Sequence, residues 1–144
     1  MIRDTRAAAL AGVVLLIAQP AAARDADWWQ LDEEVANGAT SRYLADLGAV
    51  RPISPDVSEL HVLMQVEEDG APIAWVDAQL RLDCRAGKLQ SVSMAEYDAG
   101  LKRVRGSGQE DWFPLPPGHS LGRFVCGGER DGFQRRPDFV APKF

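Results

Sequence analysis

Two cysteines, two histidines, four tryptophans and scattered carboxylates are the side chains of this 144-residue chain that could do chemistry. Cys84 and Cys126 are an even pair with no Cys-x-x-Cys spacing, and both are expected to be buried. In an exported protein such a pair reads as one structural disulfide and not as a redox centre. His61 and His119 could serve as the acid and base of a phosphodiesterase or ribonuclease, but nothing in the sequence brings them together. Glu67-Glu68-Asp69 lacks the alternating oxygen-ligand pattern of a calcium loop, so it reads as a charged turn and no metal site is expected. Ser91, Ser93 and Ser107 have no Gly-x-Ser-x-Gly elbow around them. No phosphate-cradling glycine loop or dinucleotide fingerprint occurs, and no cofactor is expected. The residues point away from an enzyme.

Trp28, Trp29, Trp75 and Trp112 remain. Aromatic side chains are often core, yet Trp75 falls on the polar side of an alternating strand. Of the adjacent pair Trp28 and Trp29, one must face outward if that segment is extended. Exposed tryptophans bury large area at small entropic cost, so these four are the candidate binding residues, for a protein partner.

The segments that must position these groups begin with a leader. Arg3 and Arg6 precede an apolar run from Ala7 to Ala18, Gln19-Pro20 breaks it, and Ala21-Ala22-Ala23 suits a signal peptidase. The run is far shorter than the roughly 20 residues needed to span a bilayer, so no membrane insertion is expected once the leader is cleaved. Residues 1–23 therefore read as a signal peptide, and a periplasmic or secreted location follows. No cysteine sits at the cleavage point, which argues against a lipid anchor. The net charge is −5, and removing the leader makes it one unit more acidic, which argues against nucleic acid. The basic groups Lys102-Arg103-Val104-Arg105 and Arg135-Arg136 read as solvated strand edge and tail. The remaining length suits one domain, with no internal repeat and no sign of its oligomeric state.

Leu60, Val62, Met64 and Val66 alternate with more polar residues, and Val76, Ala78, Leu80, Leu82 and Cys84 do so more strictly. That period of two predicts antiparallel strands with one face on a core and one in water. Ala86-Gly87-Lys88 leads into a strand over Leu89 to Tyr97, and Asp98-Ala99-Gly100 leads into another over Leu101 to Arg105, a meander. Asn37-Gly38 is a turn signal, Ala39 to Leu47 fits helix or strand, and the two prolines of Arg51 to Pro55 predict a loop. Trp112 to Gly118 is too proline-rich for a central strand. Ser120 could cap a helix in which Leu121, Phe124 and Val125 share a side, stopped by Gly127-Gly128. The whole is an α+β domain over 24–128: an antiparallel meandering sheet of four to six strands, a C-terminal helix packed across it and one disulfide stapling the two. Residues 129–144 read as a loosely ordered tail.

A strand ending Leu82-Asp83-Cys84, a second strand, a Gly-rich stretch, Trp112, then Pro116-Pro117-Gly118-His119-Ser120 and a close on Phe124-Val125-Cys126 come in a definite order. Over about residues 58–127 this order resembles the surface-adhesin protein E family. The resemblance implies a small exported domain, a meandering sheet crossed by a C-terminal helix, and an adhesive role. The expectation is a non-enzymatic exported binding domain. A periplasmic structural or stress-related protein is the second reading, and a small hydrolase using His61 or His119 the third.

Overall fold

The computed structural model describes residues 25–144, so the signal peptide expected over residues 1–23 lies outside the described residues. Six long strands follow one another: β1 (Trp28–Ala36), β2 (Ala39–Pro52), β3 (Val57–Glu68), β4 (Ala71–Asp83), β5 (Lys88–Asp98) and β6 (Arg103–Ser107). Two short ones complete the set, β7 (Phe113–Pro114) and β8 (Gln134–Arg135). All pairings are antiparallel, in the order β6-β5-β4-β3-β2-β1-β8, with β7 continuing alongside β5. The turns explain the regular meander. Asn37-Gly38 and Asp69-Gly70 carry φ of 52° and 81°, and 48° and 77°. Positive φ at both central residues is the two-residue hairpin geometry that matches strand twist.

The fold is therefore almost all sheet, and the α+β expectation is corrected: among the described residues there are eight strands and no C-terminal helix packed across them. Where a helix from Ser120 was expected there is a five-residue π-turn, Gly122–Cys126. Its closing bond runs from Gly127 N–H to the Gly122 carbonyl, 3.0 Å, and no side chain caps its start. The segment is too short to propagate helix on its own, and Gly122 and Gly127-Gly128 bracket it. The position of the turn is set instead by burying Leu121 and Phe124.

Arg51-Pro52 also departs from expectation, because β2 runs on to Pro52 after an irregularity between Asp46 and Arg51. β1 pairs only as far as Asp46, so the outer side of β2 is free there and the missing proline N–H breaks no ladder bond. The ambiguous piece Ala39 to Leu47 is strand, the centre of β2.

Cross-strand register assigns the two faces. Trp29, Ala45, Val62 and Ala78 lie in one row, and Trp28, Asp46, His61 and Gln79 in the adjacent row pointing the other way. On the Trp29 face the core joins Leu60, Leu80, Leu82 and Leu89 to Leu121 and Phe124. On the Trp28 face a smaller core joins Trp28, Leu44 and Leu63 to Phe139 and Ala141.

Both faces are thus covered, by two different segments. Residues 108–127 form a flap over the Trp29 face, tied by Glu110 N–H to the Ser91 carbonyl at 2.9 Å and Leu115 N–H to the Gly87 carbonyl at 2.9 Å. The tail, expected to be loosely ordered, crosses the Trp28 face. Arg136 N–H bonds the Trp28 carbonyl at 2.8 Å, and its side chain reaches Gln30 Oε1 at 2.7 Å. Arg135 Nε bonds Asp27 Oδ1 at 2.8 Å, so this basic pair docks the tail onto the edge of β1.

The disulfide is present: Cys84 just beyond β4 and Cys126 at the end of the π-turn have Cα atoms 5.5 Å apart, with sulfurs bonded at 2.03 Å. The expectation of burial fails, because both cysteines are exposed.

Candidate functional site

The flap covers only part of the Trp29 face. β3 and β4 continue past it, and there their apolar row, Val62, Met64, Val66, Ala74, Val76 and Ala78, floors an open groove of about 520 Å³. Tyr43 on β2 and Met94 on β5 form its sides, and Phe113 and Leu121 of the flap close one end. Floor residues Met64, Val66, Ala74 and Val76 are half-buried, and Met94 and Phe113 keep 39% and 43% of their surface exposed. The volume falls within the roughly 300–1,000 Å³ of ordinary ligand clefts. An aliphatic surface left in water is a standing free-energy gain for any apolar group that covers it.

Charged and ionisable side chains line the groove beside this apolar floor. Glu96 and Arg105 pair across β5 and β6, Glu110 lies on the flap, and His119 stands beside Leu121. Ser91 Oγ is buried among the lining residues without a hydrogen-bond partner. A second depression, about 490 Å³, lies along the irregular stretch of β2 from Asp46 to Pro52. Val50 is its one large aliphatic residue, so it offers far less apolar surface to cover.

The four tryptophans do not converge. Trp28 and Trp75 are 4% and 7% exposed, and neither presents its ring to a partner. Trp75 does lie on the face opposite Val76, as alternation requires, but Phe139 and Phe144 cover it, with ring centroids at 6.3 and 6.5 Å. The prediction that Trp28 or Trp29 must face outward fails for the same reason, since each face has its own cover. Trp29 packs at 5.6 Å from Phe124, with the Arg130 guanidinium over both rings. Of the four only Trp112 is exposed, at 39%, and it is not among the side chains that line the groove, although its chain neighbour Phe113 is.

The histidines are held apart by the sheet. His61 is on the Trp28 face, edge-on to Trp28 at 5.2 Å and hydrogen-bonded through Nε2 to Asp77. His119 is on the other face, where its Nδ1 accepts from the Leu121 N–H at 3.2 Å. No acid–base pair forms between them. Among the described residues no three His, Cys, Asp or Glu side chains gather as a metal-holding group.

Charged side chains on the Trp28 face form ion-pair ladders. Arg42 lies between Glu33 and Glu67, and these partners, Glu67 foremost, raise its pKa further against the opposing effect of burial. Burial would raise Glu59, but hydrogen bonds from Arg81 and Arg51 outweigh it and hold the carboxyl below its ordinary range. These ladders brace neighbouring strands and do not open onto the groove.

Sequence reasoning named the floor strands but not the groove. The signal was available in part: Val66 and Val76 continue the apolar rows beyond the stretch that one short terminal segment could cover. No family model matches this chain, and no curated protein or solved structure does.

Proposed function

We propose that this chain is a non-enzymatic, exported binding domain whose partner surface is the groove on the Trp29 face, not a set of tryptophan anchors. The observation that carries this reading is the half-buried aliphatic floor of Met64, Val66, Ala74 and Val76, which continues the core row of Val62 and Ala78 beyond the cover of the flap. Exposed Phe113 and Met94 at the margin add the side chains that bury well in interfaces. A protein partner laying an apolar segment along β3 and β4 fits these features. The leader and the order of motifs from Leu82 to Cys126, which resembles the surface-adhesin protein E family, support export and an adhesive role.

The test uses an apolar fluorescent probe, the anion anilinonaphthalene sulfonate, with the folded protein and with Met94→Glu and Val76→Asp. Met94 is exposed, so its replacement leaves the fold standing while placing a charge at the groove side. Probe enhancement by the parent, cut about tenfold or more in both variants, is the expected result. Equal enhancement in all three proteins rules the groove out as the binding surface.

A further inference from the structure

The disulfide is exposed on both sides of the bond, which a purely structural staple does not require. Cys84 follows the last residue of β4, and Cys126 ends the π-turn; both residues are open to water. Beside them lies a depression of about 300 Å³ bounded by Asp83, Gly87, Pro116 and Arg123. Thiol exchange needs an attacking thiolate to reach a sulfur, so access decides which disulfides react while folded. This bond has a concave approach.

What the bond holds is equally specific. Apart from it, the flap is fixed to the sheet by the Glu110 and Leu115 backbone bonds, the Gln90 side chain on the Glu110 carbonyl at 3.0 Å, and the two residues of β7. Beyond those, the π-turn is held by the buried side chains of Leu121 and Phe124, by Phe133 packed edge-on to Phe124, and by Arg130, which donates to the Phe124 carbonyl at 2.8 Å. We infer that Cys84–Cys126 is a thiol-exchange site for a protein dithiol, and that its reduction frees the flap from the Trp29 face.

The chemistry balances within the two pairs of sulfurs. A partner thiolate attacks one sulfur of the bond, forming a mixed disulfide and releasing the other cysteine as a thiolate. The partner's second thiol then attacks the mixed disulfide and leaves as part of an internal disulfide. Two electrons and two protons pass to Cys84 and Cys126, which become thiols. Because Phe113, His119 and Leu121 border the groove, release of the flap widens it. The exchange itself stands whether or not the groove takes a partner.

The oxidised protein, lacking its leader, is treated with dithiothreitol in native buffer, quenched by alkylation and weighed. The urea-unfolded protein gives the rate for an unhindered bond. Native reduction within about tenfold of that rate is expected. A slower rate, rising with urea as global unfolding does, overturns the proposal by showing that the bond opens only with the fold. Hydrogen exchange on the reduced protein then reads the flap. Amides from Leu121 to Cys126 lose protection by about tenfold or more while β3 and β4 keep theirs. Unchanged protection in the flap, or loss shared by the whole sheet, also overturns it. These readouts need no cysteine variant, so a folding defect in Cys84→Ser cannot obscure them.

Discussion

Trp28 and Trp29 are neighbours in the chain and lie on opposite sides of the sheet, each under a different cover. Trp28 meets Phe139 of the tail edge-on at 5.4 Å, and Trp29 meets Phe124 of the flap at 5.6 Å. One dipeptide therefore reports on both faces. It also explains how a domain with one sheet layer excludes water from two sides, since neither cover is a regular element of any length.

Removing one cover at a time should give separable losses. Phe124 is fully buried, so Phe124→Ala is expected to cost about 3–5 kcal/mol. Phe139 is half-buried, and Phe139→Ala is expected to cost about 1–3 kcal/mol while shifting tryptophan emission to the red as Trp28 and Trp75 gain water. Because the two act on opposite faces, the double variant should be additive to within about 0.5 kcal/mol. Urea unfolding with emission spectra measures all three, and strong coupling would contradict independent covers.

Glu59 predicts an acid-side loss of stability. Its folded pKa is depressed by Arg81 and Arg51, so the unfolded chain binds the proton more readily. The stabilisation is full above the unfolded value of about 4.3 and disappears as pH falls through the lower folded one. Glu59→Gln should therefore be less stable than the parent near pH 7, with a smaller gap at pH 3, below the unfolded value. Denaturant midpoints at the two pH values test this, and a constant gap would remove Glu59 from the account.

Two glycines should respond differently to alanine. Gly70 has φ of 77° and open space where a Cβ would point, so Gly70→Ala should cost about 1–2 kcal/mol through backbone strain alone. At Gly48 an added Cβ would lie 2.3 Å from the Asp25 carbonyl oxygen, a backbone atom that must move. Gly48→Ala should disturb the bonds that start β1, from Asp27 N–H to Asp46 Oδ1 at 2.8 Å and from Leu47 N–H to the Asp27 carbonyl at 2.8 Å. Faster hydrogen exchange at Asp27 and Leu47, absent in Gly70→Ala, is the expected signature.

The period-two rows of β3 and β4, the Asn37-Gly38 and Asp69-Gly70 turns and the pairing of Cys84 with Cys126 were all legible from residue order, because hairpin geometry is local and only one cysteine pair exists. The groove was only half legible. Its floor follows from alternation, but its extent depends on where the flap stops. Tertiary structure decided that Ser120 to Cys126 makes a π-turn, that Pro52 closes a strand, and that Trp28 and Trp75 are hidden beneath Phe139 and Phe144. Those outcomes rest on contacts such as Arg135 to Asp27 and Arg136 to Gln30, 108 and 106 residues apart in sequence. No local propensity encodes a partner that distant; burial of apolar surface selects it only once the sheet exists to receive it.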